Sequence, residues 1–213
     1  MKRFLCCLVV LAAVAVAPAF ADININGTFQ PGPGDAFSTI FASNTFAQTS
    51  LTTYWTVTVG SVDWIGSYWV PPTQTGGYSV DLDGNAPGGI AQTVGLSAGS
   101  YILNFFLSGN PDGLPTTKTV DVTAGSSSQT FTYALTGSNT ESNMLWAPES
   151  LTFTASGPTT IAFTSLDSAS PWGPALAGVS LTQVPEAGFY SYSAAFALGL
   201  IGFLMLIRRK RQA

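Results

Sequence analysis

Two aspartates two positions apart, Asp81 and Asp83, are the first residues in this chain whose spacing can do chemistry. On a strand, residues i and i+2 face the same way, so the two carboxylates can share a hard cation. Calcium takes carboxylates and backbone carbonyls of the kind that the following Gly84-Asn85 loop offers. The pair also reads as one aspartate capping the next turn through its own backbone while the other stays solvated. A glycoside hydrolase needs two carboxyl groups about 5 to 9.5 Å apart. Asp63, Glu141, Glu149 and Asp167 are candidates, but no spacing singles out a pair. The chain has no histidine, which excludes histidine-based triads, histidine metal sites and histidine proton shuttles. Lys118, the only amine between residues 22 and 183, reads as a strand-edge charge after the Pro115 turn.

Aromatic faces stacked on the apolar faces of sugars are a second route to function. Trp64, Tyr68 and Trp69 run from a strand-like segment toward Pro71 and Pro72, and they are the candidate ligand-binding cluster. Trp55 and Trp146 lie among apolar, strand-like neighbours and read as core.

These residues must be positioned by strands. Short alternating runs recur: Val57 and Val59, Val80 and Leu82, Tyr101 to Leu107, Val120 and Val122, Phe131 to Leu135, Leu151 and Phe153, Ile161 and Phe163, Val179 and Leu181. Glycine, proline and serine clusters separate them. Ten to twelve short strands in about 160 residues predict an all-β, two-sheet β-sandwich spanning residues 22–183. A domain of that size buries roughly two thirds of its unfolded surface and needs no disulfide.

Charge says where such a domain works. Only 8% of the chain is charged, well below the roughly 25% of soluble domains. Residues 22–183 carry ten acids against Lys118, a net −9. That field repels phosphates and anionic lipids, so no nucleic-acid partner is expected.

The ends read as addresses. Lys2 and Arg3 precede an apolar run, and Ala19-Phe20-Ala21 supplies a cleavage site, so residues 1–21 are expected to be a signal peptide. Both cysteines, Cys6 and Cys7, lie inside it. Residues 189–207 carry no charge; as a helix they reach about 28 Å, close to a hydrocarbon core. Arg208 to Arg211 follow, and the positive-inside rule keeps that basic tail, residues 208–213, in the cytoplasm with the β domain outside.

Val184, Pro185, Glu186 and Ala187, followed by an apolar helix and an Arg-rich tail, resemble the PEP-CTERM sorting signal, with residues 184–188 as the motif. Ala187 departs from the second proline usual in that family. The resemblance implies a Gram-negative bacterial surface protein and an exosortase-like sorting enzyme as partner.

The β domain resembles the choice-of-anchor C family. The carrying segments are Asn26 to Phe29, Trp55 to Ile65, Val80 to Gly84, Gly109 to Gly113 with Lys118-Thr119, Asn143 to Trp146, Phe163 to Asp167 and Gly173 to Leu176. That resemblance implies a galactose-binding-like jelly roll and an affinity for polysaccharide, without an established activity. Related jelly rolls hold a structural calcium between an acid after the first strand and an aspartate in the last; Gln30 and the Ala177-Gly178 pair stand at those positions here. The expectation is an exported, membrane-anchored, non-enzymatic envelope or matrix protein that binds extracellular polysaccharide and needs no cofactor unless calcium. A structural or adhesion protein with protein partners, and a weak glycoside hydrolase, are the alternatives.

Overall fold

The computed structural model describes residues 23, 25–51, 53–168 and 170–185. Among these residues twelve strands follow one another: β1 (Phe37–Phe41), β2 (Thr45–Phe46), β3 (Trp55–Val59), β4 (Ser61–Ile65), β5 (Ser79–Asp81) and β6 (Gly89–Val94), then β7 (Gly99–Gly109), β8 (Thr117–Ala124), β9 (Ser127–Ala134), β10 (Ala147–Ala155), β11 (Thr159–Ser165) and β12 (Pro174–Val184). They form two six-stranded sheets, β1-β4-β5-β12-β7-β10 and β2-β3-β6-β11-β8-β9, and every pairing is antiparallel. The expected all-β sandwich is therefore present, and no helix occurs among the described residues. The expected signal peptide, the span at 189–207, the basic tail, and Glu186 and Ala187 of the sorting motif lie outside those residues.

Alternation builds the core. Val62, Val80, Leu82, Leu103, Phe105, Leu107 and Leu176 on the first sheet meet Val57, Ile90, Val120, Val122, Ile161 and Phe163 on the second, all essentially inaccessible. Phe105 of β7 bridges the layers edge-on, with ring centroids 5.1 Å from Phe131 and 5.2 Å from Phe163, a favoured aromatic arrangement. Prolines respect the ladder: Pro148 sits on the edge strand β10 and Pro174 begins β12. Val59 departs from the expected pattern. A register irregularity between Val57 and Val59 against β6 turns it outward, and it is exposed.

The outer face of the first sheet positions the site. Thr39, Asp63, Asp81, Ala175 and Ser108 are successive cross-strand partners on β1, β4, β5, β12 and β7, forming one row across five strands. Beside it Ile65 and Ala175 present apolar surface outward, and Trp69 and Met144 cover it as a small second core. Two loops supply that cover, residues 66–78 and 135–146. They are joined by the Val70 N–H to the Glu141 carbonyl at 3.0 Å and by the Trp146 indole N–H to the Val70 carbonyl at 2.9 Å.

Candidate functional site

A cleft of about 220 Å³ opens over this row. Its floor is Thr39, Asp63 and Asp81 from the sheet, and its walls include Tyr68 and Trp69 from the loop after β4, Asp112 from the loop after β7, and Trp172 just before β12. The structure thus brings together Tyr68 and Trp69 of the expected aromatic cluster with Asp81 of the expected carboxylate pair.

Trp64 does not join them. Alternation on β4 points it to the opposite face from Asp63 and Ile65, where it packs against the main core and donates its indole N–H to the Phe29 carbonyl at 3.0 Å. Trp55 is buried in the main core and Trp146 half-buried against the second. Trp69 is 2% exposed, and its indole nitrogen has no hydrogen-bond partner.

Asp81 is saturated by donors. Its Oδ1 accepts the Asp83 and Gly173 N–H groups, both at 3.0 Å, and its Oδ2 accepts the Asn110 amide at 2.7 Å. The bond from Asp83 is the local turn cap. Burial nevertheless pushes the Asp81 carboxyl well above the usual range, against the lowering by the Asp83 N–H and Asn110. Asp83 is not solvated: it is fully buried, and neither carboxylate oxygen makes a well-formed hydrogen bond. Burial raises it to about 6; the nearby Ser165 hydroxyl opposes the rise, and the Asp167 charge adds to it. Gly173 is required beside this pair, because a Cβ there would lie 2.5 Å from the Asp83 Cγ and 2.7 Å from Asp81 Oδ1.

Asp81 and Asp83 hold the oxygens from which a calcium site would be built, and those of Asp83 are uncommitted. Among the described residues, no group of three or more Asp, Glu, His or Cys is placed to hold a metal ion.

Lys118 corrects the sequence expectation. β8 lies inside its sheet between β11 and β9, and Lys118 is fully buried, because its side chain shares the inward face of Val120. Its ammonium donates to the carbonyls of Gly113, at 3.0 Å, and of Trp172. Burial lowers its pKa, while Asp167, Asp81, Asp83 and Asp112, in that order, oppose the shift. An edge charge would be hydrated; this one is an interior clamp on the two loops that carry Asp112 and Trp172.

The exposed groups of the cleft differ in kind. Asp63 is raised by partial burial, with the Thr39 hydroxyl, 2.5 Å from its Oδ1, acting the other way. Tyr68 donates to Asp112 Oδ2 at 3.0 Å, and that bond, together with burial and the Asp112 and Glu141 charges, holds its hydroxyl well above the usual phenol range. Trp172 is 39% exposed, and Gly113 lies against its six-membered ring with no room for a Cβ, which would come within 2.1 Å of Cε3. Trp172, Asn110 and Asp112 were not singled out as ligand contacts from sequence. The signal available was a tryptophan enclosed by Pro171, Gly173 and Pro174, a turn that leaves a large ring at the surface.

Asp63 and Asp81 are opposed across neighbouring strands, with Cβ atoms of such partners about 5 Å apart. Three donors fix Asp81 in place and it is 1% exposed, which leaves it poorly suited to act as a nucleophile or base. The arrangement offers an exposed aromatic face beside accessible carboxylates, a binding surface.

No family model matches the chain. Over 87 residues, 40% of its length, it is 41% identical to halomucin of Haloquadratum walsbyi, of which this covers 1%. Among solved structures it is similar to a family 35 carbohydrate-binding module from Clostridium thermocellum, with 16% identity, a TM-score of 0.45, and coverage of 69% of this chain and 99% of that one. It is also similar to a family 35 module from Paenibacillus barcinonensis, with 16% identity, a TM-score of 0.41 and the same coverage. A third is the C-terminal family 6 module of a marine laminarinase from Zobellia galactanivorans, with 16% identity, a TM-score of 0.38, and coverage of 69% and 99%.

Proposed function

We propose that this chain is an exported, surface-anchored, non-enzymatic protein whose β-sandwich binds extracellular polysaccharide in the cleft between Tyr68 and Trp172. The observation that carries the reading is the exposed Trp172 ring, backed by Gly113 and set beside Tyr68, Asp63 and Asp112. Aromatic faces supply contact area with the apolar faces of sugars, and carboxylates accept hydrogen bonds from sugar hydroxyls. In this reading the sandwich is a galactose-binding-like jelly roll of the choice-of-anchor C kind. Its PEP-CTERM-like end, Val184 to Ala187, is presented to an exosortase-like enzyme after the signal peptide is cut and the segment at 189–207 has entered the membrane.

A glycan array probed with the full chain in detergent, repeated with Trp172→Ala, tests the binding. Retention of several polysaccharides by the parent and their loss in the variant is the expected result; no retention of any glycan defeats the reading. For sorting, mass spectrometry of the surface-extracted protein should find a C-terminus near Pro185, and recovery of Arg208 to Arg211 in the mature form would show a permanent anchor instead.

A further inference from the structure

The donors and acceptors around the cleft are unequal. The Thr39 hydroxyl is committed to Asp63, the Tyr68 hydroxyl to Asp112, and the Asn110 amide to Asp81. Among the described residues Asp63 accepts no other hydrogen bond, and the Asp112 side chain accepts only that from Tyr68. Each carboxylate therefore keeps unfilled acceptor capacity facing the cleft. Glu141 adds a third negative charge close to Tyr68.

No cation lines the cleft beside them, although Lys118 acts on Asp112 from the interior. Lys118 is the only Lys or Arg among the described residues, it does not line the cleft, and its ammonium is bound to the Gly113 and Trp172 carbonyls on the buried side. A ligand entering here meets net negative charge, surplus acceptors and two aromatic faces. The buried, unpartnered indole N–H of Trp69 in the same wall is a second mark of a ligand, because a buried donor without an acceptor is costly unless an oxygen completes it.

A protonated amine on a sugar ring meets all of these demands together. It brings three donors and a positive charge to Asp63 and Asp112, it is attracted to the faces of Tyr68 and Trp172, and a ring hydroxyl oxygen beside it can accept from Trp69. A uronate or sulfated sugar would place its charge beside Asp63 and Asp112, and a neutral sugar would leave their charge unanswered. Resting on the polysaccharide-binding reading, we infer that the cleft selects glycans bearing free amino groups, a cationic amino-sugar polymer, over neutral and anionic chains.

The test uses the full chain in detergent and isothermal titration with three probes of equal length: oligomers of glucosamine, of N-acetylglucosamine and of galacturonic acid. The glucosamine oligomer is expected to bind about tenfold tighter than the acetylated one, with an advantage that shrinks as salt rises; the uronate should not bind. Asp112→Asn should remove the advantage, weakening the glucosamine oligomer by more than it weakens the acetylated one. Asp121→Asn, an equal charge change on β8 away from the cleft, should leave it intact, which separates the site from general attraction to an acidic protein. Loss of the advantage in both variants would overturn the inference. Equal binding of the acetylated and free-amine oligomers, or preference for the uronate, would also overturn it while leaving polysaccharide binding standing. Binding of no glycan by the parent would bring down both.

Discussion

The Gly173 N–H donates to Asp81 Oδ1 at 3.0 Å, joining residues 92 positions apart at the start of β12. Asp81 also gathers Asp83 and Asn110, so one buried carboxylate fixes three chain segments around the cleft. Asp81→Ala leaves all three donors without an acceptor, and a stability loss of at least ~3 kcal/mol is expected in urea unfolding. Asp81→Asn keeps an acceptor for the two backbone donors and loses only the Asn110 bond, so about 1 kcal/mol should suffice to describe it. Equal losses in the two variants would show that the charge, not the acceptors, matters.

Lys118→Met keeps the stem of the side chain and removes the ammonium. The Gly113 and Trp172 carbonyls lose their donor, and Asp83 and Asp167 lose the positive charge that faces them. Removing one member of such a buried set costs about 3–5 kcal/mol. Thermal unfolding should record the loss, and tryptophan fluorescence in the folded variant should shift as Trp172 becomes looser. An unchanged melting temperature would mean that Lys118 is not a clamp.

Asp63, Asp81, Asp83 and Asp167 all have folded-state pKa values above their ordinary 3.8, chiefly because of burial. The folded protein therefore holds these protons more tightly than the unfolded chain does. Their contribution to stability is fullest below about pH 3.8 and declines as pH rises, for Asp83 through about 6. Urea midpoints measured from acid to neutral pH should fall across that window, the reverse of ordinary acid denaturation. Asp83→Asn should flatten the slope; a midpoint that rises with pH in the parent would contradict the burial argument.

Gly113→Ala places a methyl group where the Trp172 ring lies, so the ring must move. Polysaccharide affinity should drop about tenfold or more, with only a modest change in melting temperature because the position is at the surface. Titration of a glycan that the parent retains would check it, and full retention would exclude Trp172 as the binding face.

Much of the fold was legible because strands report themselves through period-two alternation: Val120 and Val122, or Ile161 and Phe163, have one buried face whatever their partners. Val59 escaped that rule, since a bulge is a property of two strands in register and leaves no mark in one. Tyr68, Trp69 and Asp81 were recognisable as functional types, yet their meeting depends on β4, β5 and β12 being neighbours, which no local pattern states.

By itself, the sequence determined the strand-rich, acidic character of the body and the exclusion of histidine chemistry, since composition and periodicity carry these directly. Tertiary structure alone decided that Lys118 is an interior clamp instead of an edge charge, that Trp64 faces the core while Trp69 faces the cleft, and that Trp172 stands exposed beside Asp112. The physical reason is that burial, hydrogen-bond satisfaction and charge balance depend on which distant strands and loops come together. Antiparallel pairing across long separations sets that assembly.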